Sequence, residues 1–272
     1  MTIAAEPGAP ATNRYLIPNA AEGAGERLRL LAEIFDPGSK DAIRRAGICE
    51  GRSCWEVGAG TGSIARWMAE EVGPRGRVLA TDLDPRFLQP LAGPTIEVLR
   101  HDVVADATPT EGFDIVHTRL LLFHLTEREL VLDRLIAALK PGGWLVVEDF
   151  DCLSTIPDAT ANPFETPLQS VAALREFFAR SGLDLRIGRR LTGMLRARGL
   201  ADVRGEGRMF MWQDGTIFSR FQRLTLEQAR EGMTRAGLVR PQQLDCDLEA
   251  MELAFLAPSP VLWSAIGRRP AS

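Results

Sequence analysis

The sequence predicts an α/β protein built around a mostly parallel, doubly wound sheet. From about residue 53 onward, short apolar segments alternate with helix-length amphipathic segments. Parallel strands need such crossover helices, which then cover both faces of the sheet. In addition, 45% hydrophobic and 25% charged residues over 272 positions are ordinary globular values. They disfavour disordered, collagen-like and coiled-coil classes.

A helical segment is predicted ahead of the sheet. Residues 1–13 are rich in Ala, Pro and Gly without periodicity, which predicts a disordered terminus. Apolar positions recur at helical spacing over residues 20–35, and the sequence Asp36-Pro37-Gly38 is expected to end that helix. A second helix is expected over residues 40–46.

The central part of the chain supplies the predicted sheet core. Strands are expected at Ser53–Val57, Arg77–Thr81, Ile96–Arg100, Phe113–His117 and Trp144–Glu148, and helices at Ser63–Val72, Pro85–Leu91 and Thr126–Leu139. The last helix has the clearest boundaries, because Thr126 and Glu129 fit a capping box and Lys140-Pro141-Gly142-Gly143 follows its end.

Beyond residue 150 the alternation is interrupted. We expect a loop over 157–167, a helix from Leu168 that ends at Gly182, helices at 188–197 and 216–236, and strands at 203–211 and 261–266. One sheet then runs through both halves of the chain. The prediction is a single domain over residues 14–272, with a helical lid at 14–46, a core at 50–150 and covering insertions at 152–182 and 213–256.

Charge and cysteine usage restrict the partners. Lys and Arg number 32 against 36 Asp and Glu, a net charge of −4 without a basic run, which argues against nucleic acid. The 4 cysteines form no CxxC pair and are expected to be reduced, and 3 histidines offer no zinc-ligand spacing. Because the sequence shows neither a secretory signal pattern nor a long apolar stretch, we expect a cytoplasmic protein that does not enter a membrane. The sequence leaves open whether the protein forms a homodimer.

The most informative segment is the glycine-rich stretch that follows the first predicted strand. Gly58, Gly60 and Gly62 lie between that strand and a helix. Glycines there allow tight turning and let a ligand lie against the backbone, and the helix offers unpaired N–H groups. A strand-to-helix turn without a ligand is the alternative.

Two acidic residues strengthen the ligand hypothesis. Asp82 ends the second predicted strand, where a carboxylate can accept both hydrogen bonds of a ribose diol, and Asp102 ends the third, where it can accept from an exocyclic amine. The alternative is a helix cap or an exposed loop acid for Asp82, and a loop acid for Asp102. All of these sites fall at the carboxyl ends of parallel strands, where open α/β sheets bind ligands.

The spacing differs from that of a dinucleotide dehydrogenase. Ser63 stands where the G-x-G-x-x-G pattern requires glycine, and Glu56 precedes the first glycine by two positions. A carboxylate directed at this pocket would repel a pyrophosphate but could hold an ammonium group. The pattern therefore favours a nucleoside that carries an amino acid over NAD.

These residues resemble the class I S-adenosylmethionine-dependent methyltransferase family, in its small-molecule type. The matching segments are Glu56–Gly62, Ala80–Pro85, His101–Val103, Phe113–His117 with Leu120–His124, and Leu139–Leu145, in the order typical of the family. The resemblance implies a Rossmann-like fold of seven strands, with Val261–Ile266 as an antiparallel last strand.

The resemblance also implies where S-adenosylmethionine binds. The implied contacts are Gly58, Ala59, Gly60 and Gly62 to the methionine portion and ribose, Asp82 to the ribose hydroxyls, Asp102 to the adenine amine, Leu83 and Val103 to the ring, and Glu56 and the Thr118 backbone to the methionine end. Strand four is followed by Thr118-Arg119 rather than by an acidic ligand, so no metal is expected.

Methyl transfer mainly requires positioning of the acceptor and exclusion of water. An acidic acceptor also needs a base, and His124 is the candidate because histidine titrates in the useful range; a structural histidine is the alternative. Tyr15, Arg119 and Trp212 are the candidate acceptor contacts, against packing or ion-pair roles.

The function that these features predict is methylation of a small molecule, with oxygen favoured over nitrogen or carbon as the acceptor atom. Two alternatives share the same motifs. One is an NAD-type oxidoreductase, and the other is a protein that binds S-adenosylmethionine without methylating.

Overall fold

A computed structural model describes residues 23–109, 112–154, 168–252 and 256–271. The helices of this part are α1 (Ala24–Arg45), α2 (Ser63–Val72), α3 (Arg128–Ala137), α4 (Gln169–Arg180), α5 (Ile187–Ala197), α6 (Ile217–Arg235) and α7 (Pro241–Ala250). The strands are β1 (Ser53–Val57), β2 (Arg77–Asp82), β3 (Ile96–Arg100), β4 (Phe113–Arg119), β5 (Leu139–Asp151), β6 (Ala201–Arg208), β7 (Met211–Gln213), β8 (Leu256–Pro258) and β9 (Val261–Arg268).

The main sheet has seven strands in the order β3-β2-β1-β4-β5-β9-β6. The first five pair in parallel, and β9 lies antiparallel between β5 and β6. This arrangement confirms the predicted Rossmann-like fold class with its antiparallel last strand. Because β1, β2 and β4 run side by side in the same direction, their carboxyl ends share one edge of the sheet, where the predicted site residues lie.

Helices cover both faces of the sheet, which explains why every residue of β1 is buried. Trp55 packs on the face covered by α3 and α5, where Leu132 and Leu191 are buried. On the opposite face, Met68 of α2 and Ile43 of α1 pack together. A third cluster joins the first half of α1 to α4, α6 and α7, and it forms a helical layer beside the carboxyl edge of the sheet.

The predicted break in the N-terminal helix is wrong. Instead of two helices over 20–35 and 40–46, α1 is continuous, with Pro37 inside it. A proline removes one backbone donor and disfavours a helix interior by about 3 kcal/mol. Buried side-chain contacts on either side offset this loss, because Ser39 donates to the Phe35 carbonyl at 3.2 Å and Asp36 accepts from Arg119 at 2.9 Å.

Three smaller predictions differ in detail. The capping box of α3 is absent, because the helix begins at Arg128 and the Thr126 hydroxyl donates to the adjacent Glu127 carboxylate at 2.7 Å. The helix expected at Pro85–Leu91 is two short 3₁₀ turns, each with a proline near its start. Finally, the Lys140-Pro141-Gly142-Gly143 segment lies within β5, since Leu139 already pairs with β4.

Within the helical layer, a side chain of α7 caps the start of α4. Asp247 of α7 accepts a hydrogen bond from the backbone N–H of Ser170, in the first turn of α4, at 2.6 Å. Asp247 is 6% exposed, so this carboxylate satisfies one of the unpaired N–H groups that every helix start presents.

Some predictions fall outside the described residues. These are the disordered terminus at 1–13, Tyr15 and the loop at 157–167. Among the described helices, none combines the length and the apolar character that a membrane-crossing segment requires.

Candidate cofactor and acceptor site

The chain turns from β1 into α2 through the glycine-rich segment. Gly58, Gly60 and Gly62 have φ angles of 69°, 57° and 75°, a left-handed conformation that favours glycine. The N–H groups of Gly58 and Ala59 both donate to the Thr81 carbonyl, at 2.8 and 2.9 Å, so the turn is tied to the end of β2. A Cβ at Gly60 would meet no protein atom within 4 Å, and Gly60 lines a large cavity. A ligand can therefore approach the backbone closely here.

Asp82 is held against this turn. It is 3% exposed, its Oδ2 accepts from the Gly60 N–H at 2.9 Å, and its Oδ1 accepts from the Asp84 N–H at 3.0 Å. Burial raises the pKa of Asp82, and the backbone N–H groups oppose that rise. Each carboxylate oxygen can accept two hydrogen bonds. Asp82 thus keeps acceptor capacity towards the cavity that it lines.

A smaller cavity shares Gly58, Asp82 and His124 with the large one. Leu83, Asp102 and Val103 line it. The Asp102 carboxylate accepts from the N–H groups of Val104 and Ala105 at 3.0 and 3.2 Å. It therefore stabilises the loop after β3, as the alternative interpretation expects, and also lines the space that the resemblance assigns to adenine.

Glu56, His117 and Glu148 form a buried row across β1, β4 and β5. His117 Nδ1 lies 2.6 Å from Glu56 Oε2, and its Nε2 lies 3.2 Å from Glu148 Oε2. Burial alone would lower the pKa of His117, but the two carboxylates outweigh it and raise this pKa to about 9. Burial alone would raise the pKa of Glu148, but the hydrogen bond and the charge of His117 outweigh burial and lower this pKa to about 2. A charged imidazole therefore fixes the Glu56 carboxylate at the cavity wall.

The row continues into α1. Ser39 donates to the Glu148 carboxylate, and Arg119 donates to Ser39 Oγ and to Asp36 Oδ1, each at 2.9 Å. Asp36 also accepts from Ser63 Oγ, at the start of α2, at 3.2 Å. Arg119 lines the large cavity, but its guanidinium is engaged in this buried ion pair. A contact between Arg119 and an acceptor stays a prediction.

Thr118 lies one residue away from the cavity wall. It is fully buried, and its Oγ1 donates to the Val57 carbonyl at 2.9 Å. The residues after it, Arg119 and Leu120, line the large cavity. Leu120 has a φ of 55°, which is uncommon for a residue other than glycine and marks a strained turn where β4 ends.

His124 lines both cavities. Burial, and secondarily the positive charge of Arg27, lower its pKa to about 4. Its ring packs edge-on against Phe123, with 5.2 Å between the centroids. The imidazole is therefore neutral at pH 7 and can accept a hydrogen bond. Burial and the nearby charge of Arg27 both disfavour its protonation.

The large cavity extends from the glycine turn to a chamber bounded by α1, α4 and α6. The chamber is mainly apolar, and its larger side chains are Leu31, Phe150, Phe178, Trp212, Phe218 and Phe221. Trp212, a predicted acceptor contact, is 4% exposed and packs against Phe218 with 5.3 Å between the ring centroids.

Sequence reasoning missed four polar residues on this wall: Arg27, Arg175, Gln222 and Thr225. Arg27 carries a weak sequence signal, since it stands four positions before Leu31 and so interrupts the apolar face of α1. The other three lie on helices whose orientation only the folded chain sets.

The donor set fits S-adenosylmethionine. A carboxylate at Glu56 suits an ammonium group, Asp82 suits ribose hydroxyls, and the glycine turn leaves a backbone cradle that any side chain at Gly60 would enter. Within the described ranges, no group of three or more His, Cys, Asp or Glu side chains is arranged to hold a metal ion.

Comparison with known proteins supports this assignment. Residues 55–145 match the family model described as "Methyltransferase domain". The methyltransferase str2 of Strobilurus tenacellus is 39% identical over 98 residues, which cover 35% of this chain and 34% of the relative. A ubiquinone/menaquinone biosynthesis C-methyltransferase of Nitrosospira multiformis is 26% identical over 142 residues, which cover 47% and 57%. The first of these relatives is thus matched over about a third of its length.

The fold is shared more widely than the sequence. A solved structure of phosphoethanolamine N-methyltransferase 2 from Haemonchus contortus, in complex with S-adenosyl-L-methionine, superimposes with a TM-score of 0.60 at 15% identity. The superposition covers 97% of this chain and 61% of that one. At this identity the likeness concerns the fold alone.

Proposed function

We propose that this chain, whose core is a class I methyltransferase domain with S-adenosylmethionine as its cofactor, methylates a small molecule, with oxygen as the preferred acceptor atom. The observation that carries the proposal is one cavity that reaches from the glycine turn to the aromatic chamber. A ligand against Glu56 and Asp82 shares this space with whatever occupies the chamber. Cofactor and acceptor sites therefore meet.

Residues of this chain would hold the two ligands as follows. Glu56 binds the ammonium group, Asp82 binds the ribose hydroxyls, and Asp102 lies beside the adenine with Leu83 and Val103. S-adenosylmethionine supplies, when bound, an electrophilic methyl group on a sulfonium. The aromatic chamber positions the acceptor for an in-line approach and excludes water, which are the main demands of methyl transfer.

His124 is the candidate base in this proposal. It lines both cavities, and its low pKa keeps the imidazole neutral, so that a ring nitrogen can accept a proton from an acceptor hydroxyl. A base with a pKa near 4 is weak. The proton must therefore leave an activated hydroxyl. A negative group that offsets the charge of Arg27 would strengthen the base, but burial is the larger cause of its low pKa.

The test combines binding with a transfer assay. Calorimetry with S-adenosylhomocysteine and with NADH should give binding of the first compound alone. Labelled methyl transfer is then measured on a panel of apolar phenols, alcohols and amines, and hydroxyl acceptors should give product. His124→Ala should lower kcat while S-adenosylhomocysteine affinity stays unchanged.

Three results would contradict parts of the proposal. Binding of NADH alone would remove the methyltransferase function. Binding of S-adenosylhomocysteine without transfer to any acceptor would favour a protein that binds the cofactor for another purpose. Equal turnover of wild type and His124→Ala would remove His124 as the base.

A further inference from the structure

Arg27 differs from the other arginine beside the glycine turn. Arg119 is neutralised by Asp36, at 2.9 Å. Arg27 instead donates through Nε to Gln228 Oε1 of α6, at 2.8 Å. Its neighbour Glu26 is paired with Arg220. Among the described residues, no carboxylate forms an ion pair with Arg27, so its two terminal NH₂ groups keep their donors for a ligand.

Arg27 is half-buried, and its apolar surroundings still make an uncompensated charge there unfavourable without a ligand. Burial lowers the pKa of Arg27 to about 10, and no acidic group opposes that effect. The guanidinium is nevertheless protonated at pH 7. A charge placed among apolar side chains raises the free energy of the protein unless an opposite charge or several hydrogen bonds compensate it. A bound anion would supply that compensation.

We infer that the acceptor of the proposed reaction carries an anionic group, such as a carboxylate, which pairs with Arg27 while its apolar body fills the aromatic chamber. This inference rests on the proposed function and adds the substrate class to it. A planar guanidinium presents two parallel N–H donors and matches a carboxylate in a bidentate pair. Arg175 contributes a second guanidinium to the same cavity, and Gln222 and Thr225 add neutral polar groups.

The anion paired with Arg27 is assigned to the acceptor rather than to the carboxylate of the cofactor. Asp36 marks the part of α1 beside the glycine turn, because it bonds to Ser63. Arg27 lies nine positions earlier, roughly 13 Å along the helix axis. Its hydrogen bond to Gln228 there joins it to α6, which bounds the chamber, and its charge reaches His124, which lines both cavities. The methionine end of the cofactor is placed at Glu56, close to the turn.

The same geometry gives Arg27 a second effect. Its positive charge contributes to the low pKa of His124. An anion paired with Arg27 would offset that charge and make His124 a better proton acceptor. Acceptor binding and base strength are then coupled, while burial stays the larger cause of the low pKa of His124.

The experiment compares acids with uncharged analogues of the same shape. The probes are benzoate, 3-phenylpropanoate, 4-phenylbutanoate and octanoate, each with its carboxamide, titrated into the full chain saturated with S-adenosylhomocysteine. At least one acid should bind about tenfold tighter than its amide, the scale of a charged hydrogen bond. Arg27→Gln should remove this preference without changing the affinity for the amide. Arg27→Lys should restore part of it.

Arg220→Gln is the matched control. Arg220 also lies between α1 and α6, but it is exposed and pairs with Glu26, so this variant should keep the preference for acids. Arg27→Gln with an unchanged preference, or a panel in which no acid exceeds its amide, would overturn the inference. So would a loss of S-adenosylhomocysteine affinity in Arg27→Gln with unchanged acid binding, since Arg27 would then hold the cofactor. Wild type that fails to bind S-adenosylhomocysteine would instead refute the proposed function.

Discussion

Asp82 combines a structural and a binding role in one side chain. Its two oxygens accept N–H groups from Gly60 and Asp84, so the carboxylate shapes the turn on which a cofactor would lie. Asp82 also lines both cavities, and each of its oxygens can accept a second hydrogen bond. A nearly buried carboxylate with this geometry is well suited to a diol, because both hydroxyl groups can donate to it.

Asp82→Ala should weaken the binding of S-adenosylhomocysteine by about 1–3 kcal/mol, the range for a lost hydrogen bond to a charged group. Calorimetry measures this affinity, and thermal unfolding checks that the turn is intact. Asp84→Ala is the control, since its side chain contacts Arg86 and lines neither cavity. Unchanged affinity in Asp82→Ala would show that Asp82 only shapes the turn.

Among the elements, α1 and α4 owe their positions to side chains that belong to other elements. Arg119 of β4 holds α1 through Asp36, and Asp247 of α7 caps α4. Neither contact follows from the local sequence of the helix concerned. The walls of the chamber therefore depend on contacts between elements rather than on helix propensity.

Asp247→Ala should lower the free energy of unfolding by about 1 kcal/mol, the usual cost of losing a capping side chain. Urea unfolding measures the change. Asp245→Ala on the same helix is the comparison, because Asp245 forms an exposed ion pair with Arg230, and such pairs contribute less than about 1 kcal/mol. If both variants behave alike, the Asp247 contact does not stabilise α4.

On the scale of the whole molecule, one polar network joins the N-terminal helix to the centre of the sheet. His117 lies between Glu56 and Glu148, and Glu148 also accepts from Ser39 of α1 and from Ser264 of β9. Arg208 of β6 donates to Glu148 at 3.3 Å. Protonation of one imidazole is thus coupled to the packing of six elements, and stability should depend on pH.

The pKa of His117 is raised from 6.5 to about 9 in the folded chain. Its contribution to stability is therefore complete below pH 6.5 and is lost as the pH rises through 9, and it amounts to a few kcal/mol, at most about 3. Urea unfolding at pH 6, 7.5 and 9.5 should show this decline in the wild type. His117→Gln should flatten it, and an equal decline in both proteins would refute the assignment.

Local signals predicted much of the fold and of the cofactor site. Ser53–Val57, Ile96–Arg100 and Ser63–Val72 have the predicted bounds, because apolar periodicity and glycine punctuation act over a few residues. The contact between the glycine turn and Asp82 was also predictable, because neighbouring parallel strands bring their carboxyl ends to the same edge of the sheet. Pro37 shows the limit of such signals, because contacts with distant strands override a local helix breaker.

By itself, the sequence determined the order of the strands from β1 to β5, the glycine turn and the acids at the carboxyl ends of the strands, all of which depend on short-range backbone preferences. Only the tertiary structure decided which charges meet. Arg119 pairs with Asp36 across 83 positions, and Ser39 reaches Glu148 across 109. Arg27 faces an apolar chamber without a carboxylate partner among the described residues. Pairing over such separations depends on how the helices pack against the sheet, and local sequence patterns do not predict that packing.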